Sequence, residues 1–347
     1  MDRLQTILSG HRLALIAAGM LLVTVAVLLV LRHQFYRPLD SISTSTVLEI
    51  SSGSSLNAVG NRLVAMEVLD STTFFTLAAR LRGQASSIKA GEYLIEPGIS
   101  MAELLALIVS GDSIQYRVTL VEGWTFSQAL AAIAELEQVE HTLAETSPTE
   151  LAALLGLAHE NPEGMIHPDT YFFTRGTSDL ELLRRARNRQ QQILDRAWER
   201  RLGALPYQNQ YEAIIMASIV EKESSIGSER GHIAGVFVRR LEMGMRLQSD
   251  PTVIYGMGED YAGNISRNDL NTTTPYNTYR INGLPPTPIA LPGEESIAAS
   301  LNPLPSDYLY FVATGDGGHY FSSTLEEHNA AVVRYQLNGE DSPVTQQ

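Results

Sequence analysis

Nineteen consecutive residues, Leu13 to Leu31, carry no charge and one polar side chain, Thr24. At ~1.5 Å per residue a helix of this length spans roughly the ~30 Å hydrocarbon core of a bilayer. His11 and Arg12 flank it on one side, and Arg32, His33 and Arg37 on the other. A cleaved signal peptide would usually show only ~7–15 apolar residues followed by a small-x-small site. Here the run is longer and ends in Val30-Leu31-Arg32-His33, so it reads as an uncleaved membrane helix. Arg3 and Arg12 before it balance Arg32 and Arg37 after it, so charge sets no orientation. Size does, because 12 residues precede the span and 316 follow it. A large body is tethered by its N-terminus.

That body is globular. The 347-residue chain is 44% hydrophobic and 18% charged, too apolar for a disordered polypeptide. Its net charge is −14. Residues 1–37 hold four Arg and one Asp, a balance of +3, so the remainder carries −17. Such a body repels phosphates, which excludes a generic nucleic-acid partner. Cysteine is absent, which excludes disulfides, thiol nucleophiles and Cys-ligated zinc, and leaves the redox compartment open.

Arg37 to Thr46 is weakly patterned and reads as a linker. A short motif then occurs three times: Ile50 to Val59, Ile95 to Leu104 and Val121 to Leu130. In each, a strand is followed by Gly-x-Ser/Thr and by an apolar residue opening a helix. Glycine suits the tight turn. Ser55, Ser100 and Thr125 are placed as N-caps, and Glu103 and Gln128 complete capping boxes in the second and third copies. Val47 to about Ser113 reads as strand, two helices and strand, closed by Ile88–Ile95. Gln128 to Glu160 reads as helical with a break at Ser147-Pro148, and Leu180 to Leu202 as a long amphipathic helix. Tyr308–Ala313 reads as a buried strand returning through Asp316-Gly317-Gly318 into His319-Tyr320-Phe321.

The window most informative about chemistry is Tyr211 to Val220, apolar almost all round and therefore a buried helix. It delivers Glu221 and Glu223 to its C-terminal end. There the helix dipole and apolar neighbours both disfavour a charged carboxylate and raise its pKa, the direction wanted in a general acid. Glu223 continues the more apolar stripe (Val220, Ile219, Met216). The competing reading, two glutamates solvating a helix end, stays open at this point. A second helix, Ser228 to Gly244, precedes a long irregular region rich in Tyr, Asn, Gln and Asp, side chains that stack on sugars and bond hydroxyls. H-E-x-x-H, G-x-S-x-G and phosphate-loop motifs are absent. The sequence therefore points to no metal and no cofactor, and offers carboxylates for chemistry.

Several segments together resemble the endolytic murein transglycosylase (YceG-like) family over nearly the whole chain. They are Lys89–Tyr93, Val121–Gly123, Pro168–Tyr171, Ala217–Glu223, Arg246–Gly256, Tyr276–Tyr279 and Gly283–Pro286. Ile166-His167-Pro168 departs mildly from the family pattern and puts the local packing in question. The resemblance implies an α+β chain: residues 1–12 cytoplasmic, 13–31 a transmembrane helix, 32–46 a linker, 47–115 a LysM-like βααβ subdomain, 116–338 the catalytic domain and 339–347 a tail. It further implies a bacterial inner-membrane protein facing the periplasm, with peptidoglycan glycan strands as substrate and cell-wall synthases of the elongation machinery as partners.

The resemblance places the family's catalytic glutamate on Glu223. Substrate-binding roles are expected for Gln248, Asp250, Tyr255, Asn277, Tyr279, Asp169 and Glu221. The implied reaction breaks the MurNAc–GlcNAc bond within a strand and leaves a 1,6-anhydro end. A water-using muramidase and a non-catalytic glycan-holding anchor are the alternatives.

Overall fold

The computed structural model describes residues 2–224 and 226–337, with side chains from Leu15 onward in the first helix. The expected tail, 339–347, lies outside the described residues. Chain contacts divide the molecule into two units. The first runs to Tyr116 and takes in Thr174–Gly176; the second comprises Arg117–Phe173 and the chain from Thr177.

The first unit begins with α1 (Asp2–Tyr36), the one helix long and apolar enough to cross a membrane among the described residues. Then come β1 (Thr46–Ile50), α2 (Leu56–Ala65), α3 (Thr72–Leu81), β2 (Gly91–Ile95) and α4 (Met101–Ser110). β1 and β2 pair antiparallel, with Leu48 opposite Tyr93 and Val47 opposite Leu94. The strand pleat alternates side chains between faces. Leu48, Ile50, Tyr93 and Ile95 therefore enter a core with Leu63, Phe75, Leu104 and Ile108, while Val47 and Leu94 stay exposed. The buried Tyr93 hydroxyl is satisfied by donating to the Lys89 carbonyl (2.9 Å). Thr174–Gly176 joins this unit because Arg175 Nε donates to Glu92 (2.7 Å), which also accepts from the Tyr116 hydroxyl (2.6 Å).

The second unit continues through β3 (Tyr116–Thr119), α5 (Phe126–Ala134), α6 (Pro148–Leu154), β4 (Thr170–Phe173) and α7 (Asp179–Glu199). It goes on with α8 (Gln210–Glu223), α9 (Gly227–Glu242), α10 (Asp250–Met257), α11 (Arg267–Asn271), α12 (Glu294–Leu301), the hairpin β5 (Tyr310–Ala313) and β6 (His319–Ser322), and α13 (Leu325–Tyr335). β3 pairs with β4, and β5 with β6 in antiparallel register. α8 is the central beam, packed by α7, α9, α10 and α12, and Ala213 through Val220 are all buried.

The three repeated turns form as their residues dictate. Gly53, Gly98 and Gly123 sit at φ 77°, 84° and 76°, a region only glycine enters freely. Ser55, Ser100 and Thr125 cap α2, α4 and α5, and the latter two are closed capping boxes through Glu103 and Gln128.

Some expectations change. The segment 32–46 is not a free linker. α1 runs on to Tyr36, and Phe35 and Ile42 are buried in the first unit's core. Apolar residues spaced among Arg and Asp hid this docking. Residues 136–146 are not helical, because the chain turns out after Glu135 to meet α7: the Asp179 carboxylate accepts from the Thr142 and Leu143 amides. Asp250 to Met257, read as loop, is a short helix with Pro251 in its first turn, where a missing N–H costs nothing. Ile166 and His167 are buried without conflict, with His167 Nδ1 3.0 Å from Gln190 Oε1.

Ser100→Ala removes the hydroxyl that accepts from the Glu103 amide and leaves the backbone amide of residue 100 to donate to the Glu103 carboxylate. It is expected to cost about 1 kcal/mol, read as a lower urea midpoint for the unit that contains it, with unchanged far-UV circular dichroism.

Candidate active site

Glu221 and Glu223 close α8 two residues apart, so at ~100° per residue they leave the helix on roughly opposite sides. Their surroundings differ accordingly. The Glu221 side chain is 5% exposed and fully engaged. It pairs with Arg230 Nη2 (3.2 Å) and accepts from the Gly293 amide (3.0 Å) and the Ser296 hydroxyl (2.7 Å). Arg230 is shared with Glu122 (3.5 Å) and Glu295 (3.0 Å). Glu221 thus fastens the end of α8 to α9, to α12 and to the turn at Glu122.

Glu223 faces a cleft of about 570 Å³. Among the described residues it has no cation within ion-pair distance. Its one hydrogen bond comes from the Ser249 hydroxyl, which donates to Oε1. Desolvation dominates its titration and pushes the carboxyl up to about 7, with the nearby Asp250 charge acting in the same direction. The Ser249 hydrogen bond and the Arg240 charge oppose this. At neutral pH such a group holds a proton in roughly half the molecules and can act as acid and as base.

Two residues that the sequence reading did not single out shape this carboxyl. Ser249 is 1% exposed, and its amide donates to Thr278 Oγ1 (2.9 Å), which locks the hydroxyl's position. Arg240 is also buried. Its guanidinium is spent on the carbonyls of Leu247 (2.7 Å) and Leu309 (2.7 Å) and lies over the Tyr310 ring at 5.1 Å. It therefore lines the cleft without neutralising Glu223. Ser249 lies inside a segment already marked by the sequence, Arg246–Gly256. Arg240 carried no local signal, because its position on α9 is that of an ordinary helix-end cation.

The expected binding residues divide. Gln248, Asp250 and Tyr279 line the Glu223 cleft, as do His319 and His328 from the C-terminal hairpin and α13. The Tyr279 hydroxyl donates to Asp250 (2.6 Å), and burial pushes its own pKa up. Gln248 sits at φ 54°, a left-handed conformation held by its amide donating to the Thr278 carbonyl (3.2 Å). Strained backbone of this kind concentrates at functional sites.

Four others take different places. Asn277 is fully buried and ties its own loop, donating to the Asp269, Leu270 and Thr272 carbonyls and accepting from the Tyr279 amide. It orients Tyr279 without lining the cleft. Tyr255 donates to Glu163 (3.2 Å) and packs against Tyr276. Asp169 is exposed and accepts from the Thr170 amide. Glu221 is the anchor described above.

Glu163 is a second carboxyl that burial pushes up to about 7. It is 4% exposed and committed to the Phe126 amide (2.9 Å) at the start of α5. Titration alone therefore does not choose a catalytic acid. Access separates the two: Glu223 lines the cleft and Glu163 does not.

Opposite shifts are expected from its two neighbours. Ser249→Ala removes a donor to the charged form and raises the Glu223 pKa; Asp250→Asn removes a like charge and lowers it. A ¹³C-carboxyl NMR titration reads both. Stability carries the same sign. The folded chain keeps a proton on Glu223 that the unfolded chain releases above about pH 4.3. That contribution is present at low pH and lost as pH rises through about 7. Glu223→Gln is expected to reduce the fall in thermal midpoint between pH 5 and pH 8; Glu163 supplies a remaining part of the same sign.

The chain was compared with known proteins. A protein from Bacillus subtilis (strain 168) named endolytic murein transglycosylase is 31% identical over 316 residues, which cover 86% of this chain and 87% of that relative. Two Streptococcus pneumoniae proteins of the same name, from strains D39 and R6, are 27% identical over 339 residues. They match 86% of this chain, which spans 60% of their own length. A crystal structure of a YceG-like protein from Listeria monocytogenes superposes with a TM-score of 0.52 at 28% identity, covering 83% of this chain and 99% of that one. The YceG-like family profile matches residues 48–334. The chain that carries Glu223 at the end of its buried helix thus belongs to the YceG-like family.

Proposed function

We propose that the chain is a membrane-anchored lytic transglycosylase that cleaves peptidoglycan strands internally, with Glu223 as its acid and base. The observation that carries this reading is the lone desolvated carboxyl facing an open cleft, in a chain whose relatives are named endolytic murein transglycosylases.

The chemistry follows from that one group. Protonated Glu223 gives its proton to the glycosidic oxygen between MurNAc and GlcNAc as the C1–O bond breaks and positive charge develops at C1. The carboxylate so formed takes the proton of the same MurNAc's 6-hydroxyl, whose oxygen bonds C1 and closes a 1,6-anhydro ring. Glu223 ends protonated, and no water is consumed. A carboxyl near pH 7 serves both halves about equally well. Ser249 holds the reacting oxygen in place and favours the charged form at mid-reaction. Gln248, Asp250 and Tyr279 are the substrate-binding residues of this reading, and Asn277 positions Tyr279.

Asp250 in the same cleft is the observation favouring a rival, a muramidase in which a second carboxylate assists water. Anhydro ends are one water lighter than reducing ends, so mass spectrometry of digested peptidoglycan separates the two. Wild type is expected to give anhydro-MurNAc ends, and Glu223→Gln none, with the variant still folded. Hydrated ends from the wild type would select the muramidase. Glu221→Gln is expected to lower the thermal midpoint, because buried Arg230 loses a partner, while its folded fraction still cleaves. A dead Glu221→Gln beside an active Glu223→Gln would reverse the assignment.

The remaining readings belong to the same proposal. The apolar part of α1 anchors the chain in the inner membrane with the body in the periplasm. The β1–α2–α3–β2 order supports a LysM-like subdomain over 47–115 that grips glycan, ahead of a catalytic domain over 116–338. Synthases of the elongation machinery are the expected partners.

A further inference from the structure

α3 carries an apolar stripe, Phe74, Leu77, Ala78 and Leu81, at the i, i+3, i+4, i+7 spacing of a helix face. Phe74 and Ala78 are partly buried against the first unit's core, and the Phe74 ring meets Phe35 of α1 edge-on, with centroids 6.5 Å apart. Leu77 is 49% exposed and Leu81 80%, against 72% for Leu15 and Leu22 in the apolar part of α1. An amphipathic helix in water turns leucines of this kind inward.

The position of α3 along α1 suggests what covers them. Phe35 and Tyr36 stand four and five residues beyond Leu31, the end of the apolar run, or about 6–7.5 Å along the helix. The headgroup layer on each side of the ~30 Å core is about 5–8 Å thick. α3 is held at that level. The Arg82 guanidinium lies 4.5 Å over the Phe35 ring and donates to the Tyr36 hydroxyl (2.8 Å). Tyr36, half exposed, and Arg32, Arg80 and Arg82 are the aromatic and cationic side chains that favour a membrane–water interface.

We propose that α3 is a second membrane contact, an interfacial helix whose Leu77 and Leu81 rest against the lipid surface that α1 crosses. The first unit is then held to the bilayer at two places, the end of α1 and the exposed stripe of α3. The inference rests on the reading of α1 as an anchor and adds to it.

The absence of cysteine makes the test direct. Single variants Leu22→Cys, Leu77→Cys, Leu81→Cys and Leu202→Cys of the full chain are labelled with an environment-sensitive fluorophore. They are then reconstituted into phosphatidylethanolamine–phosphatidylglycerol vesicles containing lipids with a quencher at a shallow or a deep acyl position. Leu202, 75% exposed in the second unit, is the reference for an equally bare leucine. Strong quenching of Leu22 by the deep quencher is expected, together with quenching of Leu77 and Leu81 by the shallow one several-fold above Leu202. Leu22 quenched, with Leu77 and Leu81 no different from Leu202, would overturn the proposal and leave the anchor reading standing. An unquenched Leu22 would overturn both.

Discussion

A carboxyl partly withdrawn from water at the end of a buried helix is the constraint around which the second unit is organised. Glu223 gains its raised pKa because α8 is buried from Ala213 to Val220 and carries the carboxyl into a cleft walled by packed side chains. Ionising such a group costs free energy. Among the described residues one hydroxyl, from Ser249, donates to it and no cation pairs with it. A second donor or a free cation would return the carboxyl to its ordinary range and remove its value as an acid at neutral pH.

α9 makes that balance possible by dividing its cations. Arg230 meets Glu221 and shares its charge with Glu122 and Glu295, so the end of α8 is fastened on the side away from the cleft. Arg240 is placed on the cleft side, where backbone carbonyls and the Tyr310 ring absorb its donors. Glu221 and Glu223 differ in role because two residues along a helix turn a side chain to the opposite face. The α8 backbone between them transmits the anchoring of one to the position of the other.

The first unit shows a parallel economy. Its core is closed by the end of α1 through Phe35, so the long helix enters the fold instead of joining it through a slack tether. Strand pleating and helix spacing sort most of the remaining apolar residues inward; Val47 and Leu94 stay on the open face of the strand pair, and the exposed leucines of α3 form a stripe on one helix face.

Much of this was legible locally. The membrane-length run, the three capped turns, the buried α8 and the β5–β6 hairpin depend on neighbours within a few residues, and the physics of caps, turns and periodicity is itself local. The family motifs pointed to Glu223 and brought Gln248, Asp250 and Tyr279 into view. What the sequence could not decide was which polar side chains face the cleft and which hold loops together. Tyr255 went to Glu163, Asn277 to its own loop carbonyls, and Glu221 to Arg230, and composition does not distinguish these from ligand-facing groups. Ser249 and Arg240 acquire their roles across 26 and 17 residues from Glu223 through packing. Desolvation is a property of everything that surrounds a group in three dimensions, so the sequence determined that carboxylates would end a buried helix, and only the tertiary structure decided which of them stays unpaired.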